Sequence, residues 1–226
     1  MRIVVISASL SESSTTHQLG EALAEATADQ LGASVSVISL REHAHGIVDA
    51  MLTGFPNQAL EAAFDDVKNA DAVVAVTPAY NASYSGLFKA FFDVLPEETL
   101  RGKPVAIGAT GGTPRHSLVT EHAIRPMFTY LHAITAPTAV YAATEDFGAH
   151  AADSDGTGAG IRGRIDRTAR ELAAIVQAVN PSAQQGIHGT DEAQGDDELD
   201  APAPEADIAA ARELFEDFKP MDELFG

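Results

Sequence analysis

The chain has 226 residues, 45% of them hydrophobic, enough for one well-packed domain with a short appendage. A formal charge of −19 argues against nucleic acid or an anionic membrane as partner, and the absence of cysteine removes disulfides, thiolate metal sites and a cysteine nucleophile. No apolar run approaches the ~18 residues that span a bilayer, and Met1-Arg2 leads straight into a strand with no signal-peptide segment, so a soluble cytoplasmic protein is expected.

Arg2–Ser7 (RIVVIS) reads as a buried strand and Ala8–Thr16 as a loop crowded with hydroxyls, after which Leu19, Leu23, Ala26 and Leu31 set out a helical stripe. The unpaired N–H groups of a first helical turn and the helix dipole favour an anion, and Ser and Thr add donors, so this turn suits a phosphate. Ser13, Ser14, Thr15 and Thr16 would serve equally well as helix caps. The glycine patterns of P-loops and dinucleotide folds are absent. Ser34–Leu40 alternates like a half-buried or edge strand, and REHAHGIVDAMLTGFPNQ, residues 41–58, reads as a long connection. Its His43 and His45 have no third ligand placed by the sequence, so no metal site is expected. A helix over about Asn57–Asn69 follows, with Leu60, Ala63, Phe64 and Val67 inward.

Ala72–Val76 has the length and β-branched content of a buried parallel strand. Pro78 cannot donate to a ladder and is expected to stop the sheet at Thr77, leaving Ala79–Ser83 as a loop. Leu87, Phe88, Phe91, Phe92 and Leu95 then predict a helix that starts between Ser83 and Gly86. In open α/β sheets ligands sit outside the carboxyl ends of the strands, where Tyr80 offers an aromatic face and the loop its backbone N–H groups. Val105–Ala109 is the fourth strand and ends in Thr110-Gly111-Gly112-Thr113-Pro114-Arg115-His116, whose paired glycines permit close backbone approach. Ser117–His132 reads as a helix kinked or broken at Arg125 by Pro126. Ala139–Ala142 ends the fifth strand, Ala143–Gly160 is an aperiodic, mobile loop, and Ile161–Val179 closes the domain through Ile165, Leu172, Ile175, Val176 and Val179. Residues 181–204 read as an acidic disordered linker. Over 205–226, Ile208, Ala211, Leu214, Phe215 and Phe218 share one helical face, as a docking helix and tail would. Beyond residue 180, thirteen acidic residues face only Arg212 and Lys219, so −11 of the −19 is local to this extension. The tail would dock on its own domain, on a partner enzyme or, the favoured reading, within a homo-oligomer.

The run Thr77-Pro78-Ala79-Tyr80-Asn81-Ala82-Ser83, followed by Gly86, Leu87, Lys89 and Asp93, resembles the flavin-ring loop of the NAD(P)H-dependent FMN reductase family. That family's pattern is T-P-x-Y-N-x-S, then G, L, K and D. The resemblance implies a flavodoxin-like, doubly wound α/β fold over residues 1–180, with five parallel strands in the order 2-1-3-4-5. It carries Ser9, Ser11, Ser14, Thr15 and Thr16 over to the FMN phosphate, and Pro78, Ala79, Tyr80, Asn81, Ala82 and Ser83 to one side of the flavin ring. Thr110, Gly111 and Gly112 fall to the other side, and His116 matches a position in T-G-G-x-x-x-H forms without an assigned role. Where members often have a basic residue near the second hydroxyl pair, this chain has His17. Arg115 is either a ligand for the phosphates of the pyridine nucleotide or a solvated charge.

The implied activity is reduction of FMN by NADPH or NADH. A flavin brings its own redox chemistry, so binding residues are expected and no catalytic side chain. Across about residues 1–180, together with the closing F-x-D-F-x-P-x-D-E-L-F segment, the resemblance is nearest to FMN reductases paired with luciferase-like flavin monooxygenases. That implies such a partner, and a homodimer or homotetramer. A flavodoxin-like electron carrier and an FMN-containing quinone or azo reductase are the alternatives.

Overall fold

The computed structural model describes residues 1–11, 14–146 and 160–180; the expected linker and tail lie outside the described residues, as do positions 147–159 of the expected loop. The apolar runs form the strands β1 (Arg2–Ser7), β3 (Ala72–Tyr80) and β5 (Pro104–Gly111), with β2 (Ser34–Ser39) beside β1 at an edge. β1 and β3 are buried almost throughout, whereas β2 is only half covered, as its alternating sequence requires. All of these pairs are parallel, in the order β2-β1-β3-β5.

The fifth position departs from expectation because two strands share it. β6 (Ile134–Thr135) pairs with the start of β5, and β7 (Val140–Ala143) pairs with its end. Between Thr135 and Val140 the chain advances five residues while β5 advances three, from Val105 to Gly108, so two residues loop out of register. Pro137 has no N–H for a ladder, and Thr138 gives its N–H to Glu171 Oε2 at 2.7 Å instead. With β4 (Ser83–Tyr84), an antiparallel return strand on β3, the sheet has seven strands; the five parallel positions keep the order 2-1-3-4-5.

Helices cover both faces. α1 (Thr15–Leu31) and α6 (Ile161–Val179) pack Leu19, Leu23, Leu172 and Val176 on the side of Ile3, Val5, Val74 and Val76. Gly20 lets α1 sit close, since a Cβ there would lie 2.8 Å from methyls of both Val5 and Val76. On the other face lie α3 (Gln58–Lys68), α4 (Gly86–Val94) and α5 (Arg125–Tyr130). There Phe88, Phe92 and Phe128 meet edge to face with centroids 4.9–6.3 Å apart. Such pairs add about 0.5–1.5 kcal/mol beyond area burial.

The stretch expected as a long connection is a helix, α2 (Leu40–Thr53), which joins the same face through Leu40, Ile47 and Ala50. Its periodicity is obscured because Val48, Met51 and Leu52, with Phe55 just beyond, place a second apolar stripe in solvent. The helix before β6 tolerates Pro126 by a π-helical turn at Thr120–Ile124, which re-spaces the ladder where the proline N–H is missing. Arg125 fastens this turn by giving hydrogen bonds to Glu121, Thr135 Oγ1 and the carbonyl oxygens of Ala136 and Pro137.

Candidate functional site

The loop after β1 is organised by its own hydroxyls. Ser9 Oγ donates to the Ser11 carbonyl at 2.8 Å and accepts from the Ser11 N–H at 3.1 Å, folding the chain back on itself. Ser14 is the N-cap of α1 and accepts from the Thr16 N–H at 3.1 Å. Thr16 is buried, and its hydroxyl lies 2.6 Å from that of Thr110 at the tip of β5. Capping and lining therefore coexist: the same serines and threonines hold the helix end and present it. The first turn of α1 contains no acidic residue, and His17 sits 3.3 Å from Glu21 one turn on.

β3 does not stop at Thr77. Val76 turns its carbonyl toward the β1 side, where it accepts from the Ala8 N–H at 3.0 Å, so Pro78, two residues on, faces the same way. The β1 ladder has ended there at Ser7, and the missing N–H has no partner to lose, so the strand runs on to Tyr80 paired with Thr110 and β4. What reads as a loop is a tight hairpin, with Asn81 (φ 48°) and Ala82 (φ 63°) both left-handed, as a two-residue I′ turn demands. Thr77 Oγ1 accepts from the Ser85 N–H at 3.0 Å and closes the hairpin base, while Ser85 caps α4 by accepting from Phe88 N–H. Lys89 and Asp93 pair on the surface of α4. The signature stretch thus divides: Thr77, Ser85, Lys89 and Asp93 build the scaffold, and Pro78, Ala79 and Tyr80 face the cleft.

Three strand tips meet around one cavity of about 470 Å³. The β1 loop contributes Ser9, Leu10, Ser11, Ser14, Thr15 and Thr16. β3 contributes Pro78, Ala79 and the half-exposed Tyr80, and β5 brings Thr110, Gly111 and Gly112. Asn81, Ala82 and Ser83 form the hairpin beyond Tyr80 and do not line it, and His116 lies with Arg115 in an exposed turn after β5. Thr144, just past β7, lines the cavity and was signalled by no sequence pattern. Among the described residues no charged side chain lines it, although the protein is strongly acidic. An anion there meets helix N–H groups and hydroxyls, and among the described residues no carboxylate lines the cavity to repel it.

A larger cavity, about 540 Å³, opens where the strands begin, beside Lys68, Asp71, Arg101 and Lys103. Its central cation is already engaged: Lys103 Nζ donates to the carbonyl oxygens of Lys68 (3.1 Å) and Ala70 (2.6 Å), closing the end of α3. Burial pushes the Lys103 pKa down. Arg101 pairs with Glu98. The residues that converge without being consumed are at the other end, at the carboxyl tips of the strands. Among the described residues no group of three or more His, Asp or Glu is placed to hold a metal, and no helix is long and apolar enough to cross a membrane.

Comparison with known proteins identifies the family. A family model described as NADPH-dependent FMN reductase matches residues 1–148. An NADH-dependent FMN reductase, SfnF, from Pseudomonas putida is 36% identical over 66% of this chain and 81% of its own length. An NADPH-dependent FMN reductase from Pseudomonas aeruginosa is 34% identical over 74% of this chain and 90% of its own. Among solved structures, an oxidoreductase from Corynebacterium diphtheriae superposes with a TM-score of 0.72 at 40% identity, covering 78% of this chain and 97% of that one. The chain therefore belongs to the NADPH-dependent FMN reductase family, flavodoxin-like oxidoreductases that use FMN and a pyridine nucleotide.

Proposed function

We propose that this protein reduces FMN with NAD(P)H in the cytoplasm and passes the reduced flavin to a luciferase-like monooxygenase. The observation that carries the reading is the meeting of Ser9, Ser11 and Ser14–Thr16 with Pro78–Tyr80 and Thr110–Gly112 around one cavity that, among the described residues, no charged side chain lines. Its volume falls within the ~300–1,000 Å³ of small-molecule sites. The donor set fits FMN: the α1 N-terminus and its hydroxyls suit a phosphate, Tyr80 an aromatic ring, and Gly111–Gly112 the close approach of backbone to a flat edge. Bound flavin supplies the two-electron chemistry, so the protein's own task is to hold, orient and partly desolvate it. Arg115, exposed one turn beyond the glycines, suits the phosphates of the pyridine nucleotide in an otherwise acidic field. A homo-oligomer is part of this reading, and the solvent-facing stripe of Val48, Met51, Leu52 and Phe55 supports it as a surface for a second copy.

The test mixes purified protein, NADPH and a large excess of FMN without oxygen and follows flavin absorbance. Catalytic bleaching of the excess is expected. Reduction of one tightly held equivalent would make the protein an electron carrier, and turnover only after adding quinone would make it a quinone reductase. Handover is read separately, as light from a luciferase-like monooxygenase supplied with this protein, NADPH, FMN and oxygen. Darkness alongside normal anaerobic bleaching would remove the partner and keep the reductase.

A further inference from the structure

We propose that Tyr141 is a positioning residue that holds the Gly111–Thr113 turn in place as one wall of the FMN site. The proposal rests on the flavin reading above. Tyr141 lies on β7 opposite Ala109 and is 5% exposed. Its hydroxyl donates to the Thr113 carbonyl at 2.8 Å. To get there it passes over Gly111, where a Cβ would lie 2.1 Å from Oη and 3.1 Å from Cζ. Gly111 is not among the residues with positive φ, so its backbone angles do not call for glycine. What calls for glycine is the tyrosine crossing above it. Gly112, by contrast, has nothing within 4 Å of a Cβ.

The tyrosine is itself held. Arg164 on α6 donates through Nη1 to the Tyr141 carbonyl and through Nη2 to Asp146 Oδ1, each at 2.6 Å. Asp146 Oδ2 accepts from the Ala143 N–H at 2.7 Å. A continuous hydrogen-bonded chain thus runs from α6 through the tip of β7 to the glycine turn, passing beside Thr144, which also lines the cavity. Burial, reinforced by the nearby Asp146 carboxylate, raises the Tyr141 pKa and keeps the phenol a donor.

The experiment compares full-length wild type, Tyr141→Phe, Gly111→Ala and the double variant. FMN dissociation constants are read from flavin fluorescence without pyridine nucleotide, and kcat and KM from turnover. Loss of one hydroxyl should weaken FMN binding and raise its KM about fivefold to tenfold, the scale of one hydrogen bond. The kcat at saturating FMN should stay within about twofold. Gly111→Ala pushes the hydroxyl aside and should be at least as damaging. The combined loss in the double variant should fall at least about threefold short of the product of the two single losses, because the 2.1 Å obstacle at Oη has gone and only the tight 3.1 Å approach to Cζ remains. Wild-type-like FMN affinity in Tyr141→Phe, or losses that multiply in the double variant, would overturn the proposal. Amide exchange supplies a readout independent of flavin: residues 111–113 should exchange faster in Tyr141→Phe while α3 is unchanged, and equal exchange at 111–113 would also overturn it. If wild type fails to bind FMN, the flavin reading falls, and exchange still decides whether Tyr141 holds the turn.

Discussion

The Thr16–Thr110 hydrogen bond joins the first turn of α1 to the tip of β5, and its removal separates structure from binding. Both residues are at least nine-tenths buried and their hydroxyls lie 2.6 Å apart. Thr16→Val keeps the shape and leaves the Thr110 hydroxyl buried with no partner there, which costs about 1–3 kcal/mol. For a chain of this size that lowers Tm by roughly 2–12 °C. Thr110→Val should do the same from the other side. Replacing both removes the orphan, so the double variant should regain most of the loss, with a coupling of about 1–2 kcal/mol in urea unfolding followed by circular dichroism. If Thr16 also meets the FMN phosphate, the double variant regains stability while its FMN affinity stays about fivefold or more below wild type. Additivity within ~0.5 kcal/mol would refute the hydrogen bond as a stabilising contact.

Two further outcomes follow from local geometry. Ala82 holds a left-handed conformation at the hairpin turn, so Ala82→Gly should stabilise the protein by about 0.5–1 kcal/mol in urea unfolding after the entropic cost of glycine is subtracted; a loss would show that the turn is unstrained. The Glu121 carboxyl is held below its ordinary value of 4.5 chiefly by the hydrogen bond from Arg125, so its contribution is present above that value and is lost as pH falls through the depressed one. Glu121→Gln should therefore flatten the acid limb of a Tm-versus-pH curve, and curves that stay parallel down to about pH 3 would argue against this linkage.

Strands β1, β3 and β5 were legible because each holds an apolar run with no competing period, β2 because it alternates, and α3 and α6 because their stripes are clean. Helix α2 was not, since Val48, Met51 and Leu52 are apolar and exposed, and no pattern in one dimension says which of two stripes meets the sheet. In the site, eleven expected residues, from Ser9 to Gly112, line one cavity, because hydroxyl-rich turns, a strand-end tyrosine and paired glycines are local signals. Asn81, Ala82 and Ser83 belong to the same stretch but serve its turn.

By itself the sequence determined the apolar cores of β1, β3 and β5, that hydroxyls gather before the first helix, and that Tyr80 and Gly111 lie in the segments leaving the tips of β3 and β5. Those features depend on neighbours a few residues away, as do the N-caps Ser14, Asn57 and Ser85. Tertiary structure decided that β3 continues through Pro78, because β1 has already ended on that side. It divided the fifth strand position around Pro137, and it laid Tyr141 over Gly111 from thirty residues away. Those outcomes turn on whether an N–H or a Cβ meets another strand, which depends on sheet order and register as well as composition.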